Sequence, residues 1–338
     1  MLNADDVDVK AMHAMPAEEA DPLLSRAAFP LRATYFPLGF PLEVTSNSPA
    51  ILELAEQSWG HHQARFSTPP LELRLGVHYG HHRAAAVPPA PVFRLQWNLL
   101  LNVADAHNFV VTDLEKGRSF GWVAQSTLDS PLYLRYHLLE AAALSMLASL
   151  RAAPLHAACV CPFGCGILLC GDSGAGKSTL AYAGARAGWT FVCDDASYLP
   201  LGREDRLVVG NCHQIRFRST GTELFPELEG RPITPRAAGK PSIEVPTAEL
   251  SDVATASSAF VEYIVVLNRS LAGVEELAPL PKQSIRPWLE QSLLPGIDSR
   301  TAREDLLRRF FGVEVFELRY QNLAWAVERL QQLVLTGR

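Results

Sequence analysis

Residues 171–178 read Gly-Asp-Ser-Gly-Ala-Gly-Lys-Ser, which satisfies G-x-x-x-x-G-K-[ST] at every fixed position. Such a loop has chemistry only where a buried strand hands over to a helix, because there the loop amides and the helix N-terminus aim their N–H groups at one anion. Both flanks are present. Gly166–Cys170 is an apolar run of strand length, and Ser178–Ala187 reads as a helix stopped by Gly188. The spacing predicts a nucleoside triphosphate site formed by Gly171, Asp172, Ser173, Gly174, Ala175, Gly176, Lys177, Ser178 and Thr179. Lys177 is expected on the outer phosphates and Ser178 on Mg²⁺, with the base of the nucleotide left open by the loop.

A chain of 338 residues can hold two hydrophobic cores. Its net charge of −6 argues against a dedicated nucleic-acid surface and against an anionic-membrane binder. Asp5, Asp6 and Asp8 stand where a secretory signal would be basic, and the longest apolar helix, around Leu138–Leu150, is interrupted by Glu140 and Ser145. The expectation is a soluble, cytoplasmic protein with neither nucleic acid nor membrane as partner. Cys159, Cys161, Cys165 and Cys170 crowd ahead of the loop, but their spacing is not a zinc pattern, and on apolar strands a thiol packs as a small hydrophobe.

Residues 1–28 are rich in Ala, Asp and Glu without sustained periodicity and are expected to form a mobile tail. Residues 29–130 show short strand-like stretches at Ala33–Tyr35, Leu71–Val77, Phe93–Trp97, Phe109–Thr112 and Ser119–Val123, with a helix over Pro49–Ser58. That pattern predicts a small α+β N-terminal domain. The amphipathic stretch 131–150 reads as a bridging helix, and 151–338 as the phosphate-loop domain. Further strands are expected at Ser197–Pro200, Leu207–Val209, Phe260–Leu267 and Val313–Leu318, with helices over Thr301–Phe311, N-capped by Ser299, and Leu323–Leu335. His61, His62, His78, His81 and His82 lie in Gly-flanked stretches without supporting ligand spacing and read as solvated surface.

Asp194 and Asp195 end the apolar stretch Trp189–Cys193. A ten-residue helix advances about 15 Å and a five-residue strand returns about 16 Å, so a right-handed crossover beside the parent strand brings both aspartates to the loop. Adjacent strand residues face opposite ways, so the pair can share one centre only if the chain bends after Cys193 or each acid has its own task. Phosphoryl transfer to a hydroxyl supplies two tasks, holding Mg²⁺ and accepting the acceptor's proton. The alternative is one metal ligand and one turn cap. Upstream, Leu155–Cys161 and Gly166–Cys170 flank the four-residue connection Pro162-Phe163-Gly164-Cys165. Pairing Cys161 with Gly166 sets His156 opposite Gly171, at the loop's mouth.

At these residues the chain resembles the HPr kinase/phosphorylase family and its HPr-kinase-like relatives, whose catalytic domain is related to phosphoenolpyruvate carboxykinase. The resemblance runs through Leu155-His156-Ala157-Ala158, then Gly166 to Leu180, then Ala187-Gly188-Trp189 leading to Asp194-Asp195. It continues more weakly at Tyr263–Leu267, Ala278-Pro279-Leu280 and Val315–Tyr320. It implies an α/β P-loop kinase domain behind the smaller N-terminal unit, with His156 and Lys177 at the active site. It also implies Ser178 on the metal and one of the paired aspartates as base toward a serine hydroxyl; Asp194 is taken as the base and Asp195 as the metal ligand. Thr179 stands where the true HPr kinases carry glutamate, and their glycine-rich signature is missing after the aspartates, which points to a different acceptor. Arg216, Arg218 and Lys240 are downstream cations placed to contact phosphate or substrate.

The implied activity is Mg·ATP-dependent transfer of the γ-phosphoryl group to a hydroxyl, most simply serine, in a protein, peptide or free small molecule. The alternative is a catalytically silent nucleotide-binding regulator of the same fold. Homo-oligomerisation is left open by the sequence.

Overall fold

The computed structural model describes residues 27–79, 88–234, 241–269, 273–292 and 300–337. The expected tail up to residue 26, His81, His82, Lys240 and Ser299 lie outside the described residues.

The chain opens with a seven-stranded sheet. Its strands are β1 (Leu31–Tyr35), β2 (Leu42–Ser46), β3 (Leu71–His78), β4 (Val92–Gln96), β5 (Leu99–Val103), β6 (Phe109–Asp113) and β7 (Arg118–Ala124), in the spatial order β1-β2-β3-β7-β6-β5-β4. Helix α1 (Pro49–Trp59) carries the chain from β2 to its parallel neighbour β3, and β7 lies parallel to β3 on the other side. The other pairs are antiparallel. Alternation explains which face is buried. On β3, Leu71, Leu73, Leu75 and Val77 point into the core while Glu72 and Arg74 turn to the opposite face. Ile51, Leu54, Ala55 and Trp59 of α1 meet that core.

The stretch expected to bridge two units packs into this same core through Leu134, Leu138, Met146 and Leu147. It is also not one uniform helix. Helix α2 (Pro131–Tyr133) runs into a π-helical stretch, Leu134–Glu140, before α3 (Ala141–Leu150). Such widened turns re-aim side chains and concentrate at functional places.

From residue 152 a nine-stranded sheet forms from β8 (Ala152–Leu155), β9 (Ala158–Cys161), β10 (Gly166–Cys170), β11 (Thr190–Cys193), β12 (Ser197–Pro200) and β13 (Leu207–Gly210). A three-stranded sheet of β14 (Gln214–Phe217), β15 (Ile233–Thr234) and β16 (Ser242–Pro246) intervenes before β17 (Ser258–Asn268), β18 (Glu276–Leu280) and β19 (Glu314–Arg319) complete the larger one. Helices α4 (Lys177–Arg186) and α7 (Leu323–Thr336) cover one face, where Ile167 and Leu169 meet Leu180 and Leu330. Helices α5 (Arg286–Ser292) and α6 (Arg300–Phe310) cover the other, where Leu168 and Cys170 meet Leu289 and Phe310. Burial on both faces is why β10 reads as an unbroken apolar run.

Two details differ from the sequence reading. Strand β11 does not lie against β10, because β9 sits between them, antiparallel to both. The short connection at 162–165 folds β9 back onto β10 first and so occupies the edge a crossover strand would take. The stretch 155–161 is also broken: Leu155 belongs to β8, which pairs with β12, and β9 starts only at Ala158. Among the described residues no helix is long and apolar enough to cross a membrane.

Candidate functional site

The glycine-rich loop joins β10 to α4, as its flanks require. Gly176 precedes Lys177 with φ of 98°, and a Cβ there would stand 2.5 Å from the hydroxyl of Tyr320, which itself donates to the Ala175 carbonyl at 3.4 Å. Only glycine meets both demands. At its far end α4 closes through Gly188, where the Trp189 amide donates to Gly184 O and the Gly188 amide to Ala185 O, each at 3.0 Å. This stop returns the chain into β11 and delivers the aspartates.

The hairpin register is the one the sequence sets, with Ile167 opposite Val160, Leu168 opposite Cys159 and Leu169 opposite Ala158. Ahead of it the Ala157 amide bonds back to Leu155 O at 2.8 Å, a tight turn that lifts His156 out of both ladders. Its Nε2 lies 3.1 Å from Lys177 Nζ and its Nδ1 3.8 Å from Asp195 Oδ1. An ammonium has only protons to give, so Nε2 accepts and the imidazole proton sits on Nδ1, toward Asp195. Lys177 also donates to the carbonyls of Gly171 at 2.6 Å and Asp172 at 3.2 Å. Burial pulls its pKa below the usual lysine range, against the opposing pull of Asp195 and Asp172.

The chain bends directly after Cys193, so Asp194 and Asp195 line the same cavity despite being neighbours. Asp194 is the buried member, and its Oδ2 accepts the main-chain N–H of Arg216 at 2.7 Å. Asp195 is half-exposed beside His156. Ser178 Oγ lies 3.5 Å from the Asp194 carbonyl. Arg218 reaches across to the loop, donating from Nη2 to Ser173 Oγ at 2.6 Å. Arg216, expected to contact phosphate or substrate, instead has its guanidinium buried on Glu244, with Nε 3.1 Å from Oε2.

These groups enclose a cavity of about 460 Å³. The structure therefore brings His156, Lys177, Ser178, Asp194, Asp195 and Arg218 to one place, with Arg216 in the wall and Lys240 outside the described residues. Sequence reasoning missed Arg269, Ser242, Phe217, Thr220, Gly221, Glu223 and Leu224, which also line it. No local motif marks them, and the sheet in which β16 pairs with β14 and β15 is what carries Ser242 there.

Within the histidine-rich stretch, His62 departs from a solvated surface. His62 is half-buried against His213, with ring centroids 4.7 Å apart, and Nε2 finds no hydrogen-bond partner among the described residues. Burial, then repulsion from His213 and His61, pushes its pKa down to about 4.

No family model matches the chain, and no curated protein matches it. Among solved structures it is similar to the Hpr(Ser) kinase/phosphatase from Coxiella burnetii, at 14% identity over 55% of this chain and 95% of that one, with a TM-score of 0.32. A likeness at that level carries no argument for fold or chemistry.

Proposed function

We propose that this chain is a Mg·ATP-dependent phosphotransferase that moves the γ-phosphoryl group to a hydroxyl, serine-type, on a protein, peptide or small molecule. One observation carries the reading: an imidazole, a buried ammonium and two carboxylates converge at the mouth of a glycine-rich loop that opens a helix. Among the described residues no three His, Cys, Asp or Glu side chains cluster to hold a metal by themselves. That donor set suits Mg²⁺, which takes one or two carboxylates and completes its shell with water and phosphate oxygens. Asp195 and the Ser178 hydroxyl are the residues that would hold it, and it would neutralise charge developing on the transferred group.

The chain's own residues supply the rest. Loop amides and the N-terminus of α4 hold the phosphates, and Lys177 fixes the outer ones. The Arg216 amide clamps one oxygen of Asp194 and so sets the plane of the carboxylate. Asp194 then accepts the acceptor's hydroxyl proton while that oxygen bonds to the γ-phosphorus and the bond to the bridging oxygen of ADP breaks. His156, held between Asp195 and Lys177, keeps the lysine turned toward the loop.

The test is calorimetric titration of the purified chain with Mg·ATP, followed by labelled-phosphate transfer to panels of proteins, peptides and small hydroxyl compounds. Lys177→Ala is expected to lose nucleotide binding, and Asp194→Asn to keep binding and lose transfer. A wild type that binds nucleotide but transfers nothing to any acceptor or to water establishes the silent regulator instead, and one that binds no nucleotide ends both readings.

A further inference from the structure

Behind Asp194 lies a buried charge network that phosphoryl transfer as described does not use. Arg216 and Glu244 face each other across β14 and β16. The Tyr136 hydroxyl donates to Glu244 Oε2, and Arg135 Nη1 lies 3.6 Å from Glu244 Oε1. Arg135 also holds Glu140 Oε1 at 2.7 Å. The Tyr136 ring stands between the guanidinium groups, 5.0 Å from that of Arg135 and 5.1 Å from that of Arg216. The Gln214 carboxamide, turned to suit its neighbours, donates to Glu244 Oε1 at 2.9 Å and accepts from Arg216 Nη2 at 3.2 Å.

Two arginines and two glutamates balance in charge, but taking four ions from water is costly, and an apolar cluster of equal volume would hold the elements together as well. What apolar packing cannot do is fix a direction. Tyr136, Arg135 and Gln214 converge on Glu244, which holds the side chain of Arg216, whose main-chain N–H is the donor to Asp194. Arg135, Tyr136 and Glu140 all come from the π-helical stretch, where Arg135 and Tyr136 reach Glu244 and Glu140 holds Arg135. Burial and the bond to Glu244 push the Tyr136 phenol up to about 12, so it stays a donor across the working pH range. Glu244, Tyr136 and Asp194 hold Arg216 charged although burial opposes it.

We infer that Arg216, Glu244 and Tyr136 form a positioning device for Asp194, through which the π-helical stretch of the N-terminal core sets the geometry of phosphoryl transfer. This rests on the phosphotransfer reading. Movement of that stretch would displace Glu244, then Arg216, then the amide that clamps the carboxylate, with no change at the glycine-rich loop.

The experiment uses the full chain and Mg·ATP alone, following phosphate release to water, so no acceptor is needed. Tyr136→Phe removes one hydroxyl and keeps the ring, and Glu244→Gln keeps the shape and removes the charge. Each is expected to lower kcat about 2- to 30-fold while KM for Mg·ATP holds; the melting temperature holds in Tyr136→Phe, whereas Glu244→Gln, which strips Arg135 and Arg216 of their shared carboxylate, melts lower. The double variant should lose no more than Glu244→Gln alone, because both act through one relay. An active wild type with unaltered kcat in Tyr136→Phe overturns the positioning role and leaves the function standing. Loss of kcat, KM and melting temperature together in both variants also overturns it, since that marks a scaffold. A wild type that binds Mg·ATP but transfers phosphate neither to water nor to any of the acceptor panels removes the function itself, and this role with it.

Discussion

The two large sheets bury their strands in opposite ways. The seven-stranded sheet keeps helices on one face, so β3 alternates between Leu73 in the core and Arg74 outside, where the guanidinium lies over the rings of Phe29 at 4.8 Å and Phe120 at 6.0 Å. The nine-stranded sheet is covered twice, so consecutive residues such as Leu168 and Leu169 enter different cores. Coverage on both faces leaves the strand ends as the open places. There β10 meets its loop and β11 its aspartates, and charged groups gather at a cavity mouth without interrupting either core. A sheet open on one face has no comparable need to send its chemistry to the ends.

The sharpest break between the regions comes from two aspartates. Asp194→Asn is expected to lower transfer about 10²- to 10⁴-fold with stability kept, as loss of a general base does. Steady-state transfer rates and a melting curve check both halves of that statement. Next in size are core truncations followed by denaturant unfolding. Leu168→Ala and Leu169→Ala should each cost about 2–5 kcal/mol, because both neighbours are buried. In the first sheet Leu73→Ala should cost the same, but Arg74→Ala only up to about 1 kcal/mol for its ring contacts. Equal losses at Leu73 and Arg74 would erase the contrast.

Acid acts where the regions meet, since His62 follows α1 and His213 precedes β14. The unfolded chain protonates His62 near 6.5 and the folded chain only near 4. Stability present above pH 6.5 is therefore lost as pH falls toward 4, by up to about 3 kcal/mol, and His62→Gln should flatten that slope in pH-dependent unfolding. A comparably small effect belongs to Asp113, an aspartate of the first sheet that only caps a turn. Its Oδ1 caps the β6–β7 turn by accepting the amides of Glu115 at 3.0 Å and Lys116 at 2.9 Å. Asp113→Asn should leave transfer intact and cost about 1 kcal/mol in thermal unfolding.

Local signals carried much of the site. The loop glycines, the stop at Gly188, the register of β9 on β10 and the arrival of both aspartates all depend on residues close in sequence, whereas His156 reaches Lys177 through the turn at Ala157 and not through the ladder. What stayed hidden depends on partners far apart. Nothing near Arg216 announces Glu244, 28 residues on, or Tyr136, 80 residues back. The insertion of β9 between β10 and β11 was equally hidden, because strand lengths and helix rise fix how far a chain travels but not which neighbour already occupies the edge. In the first sheet, strand positions were legible from alternation, while the parallel entry of β7 beside β3 was not, since both neighbours of a strand satisfy the same pattern.

Strand β17 serves both parts of the larger sheet. Ser258–Phe260 pair antiparallel with β13 and Tyr263–Asn268 parallel with β19, while β10 runs alongside. Both parts are therefore anchored on one continuous strand of eleven residues. Unfolding of this sheet should thus be a single cooperative event, with the amides of Val261 and Ile264 exchanging with solvent only when the whole assembly opens.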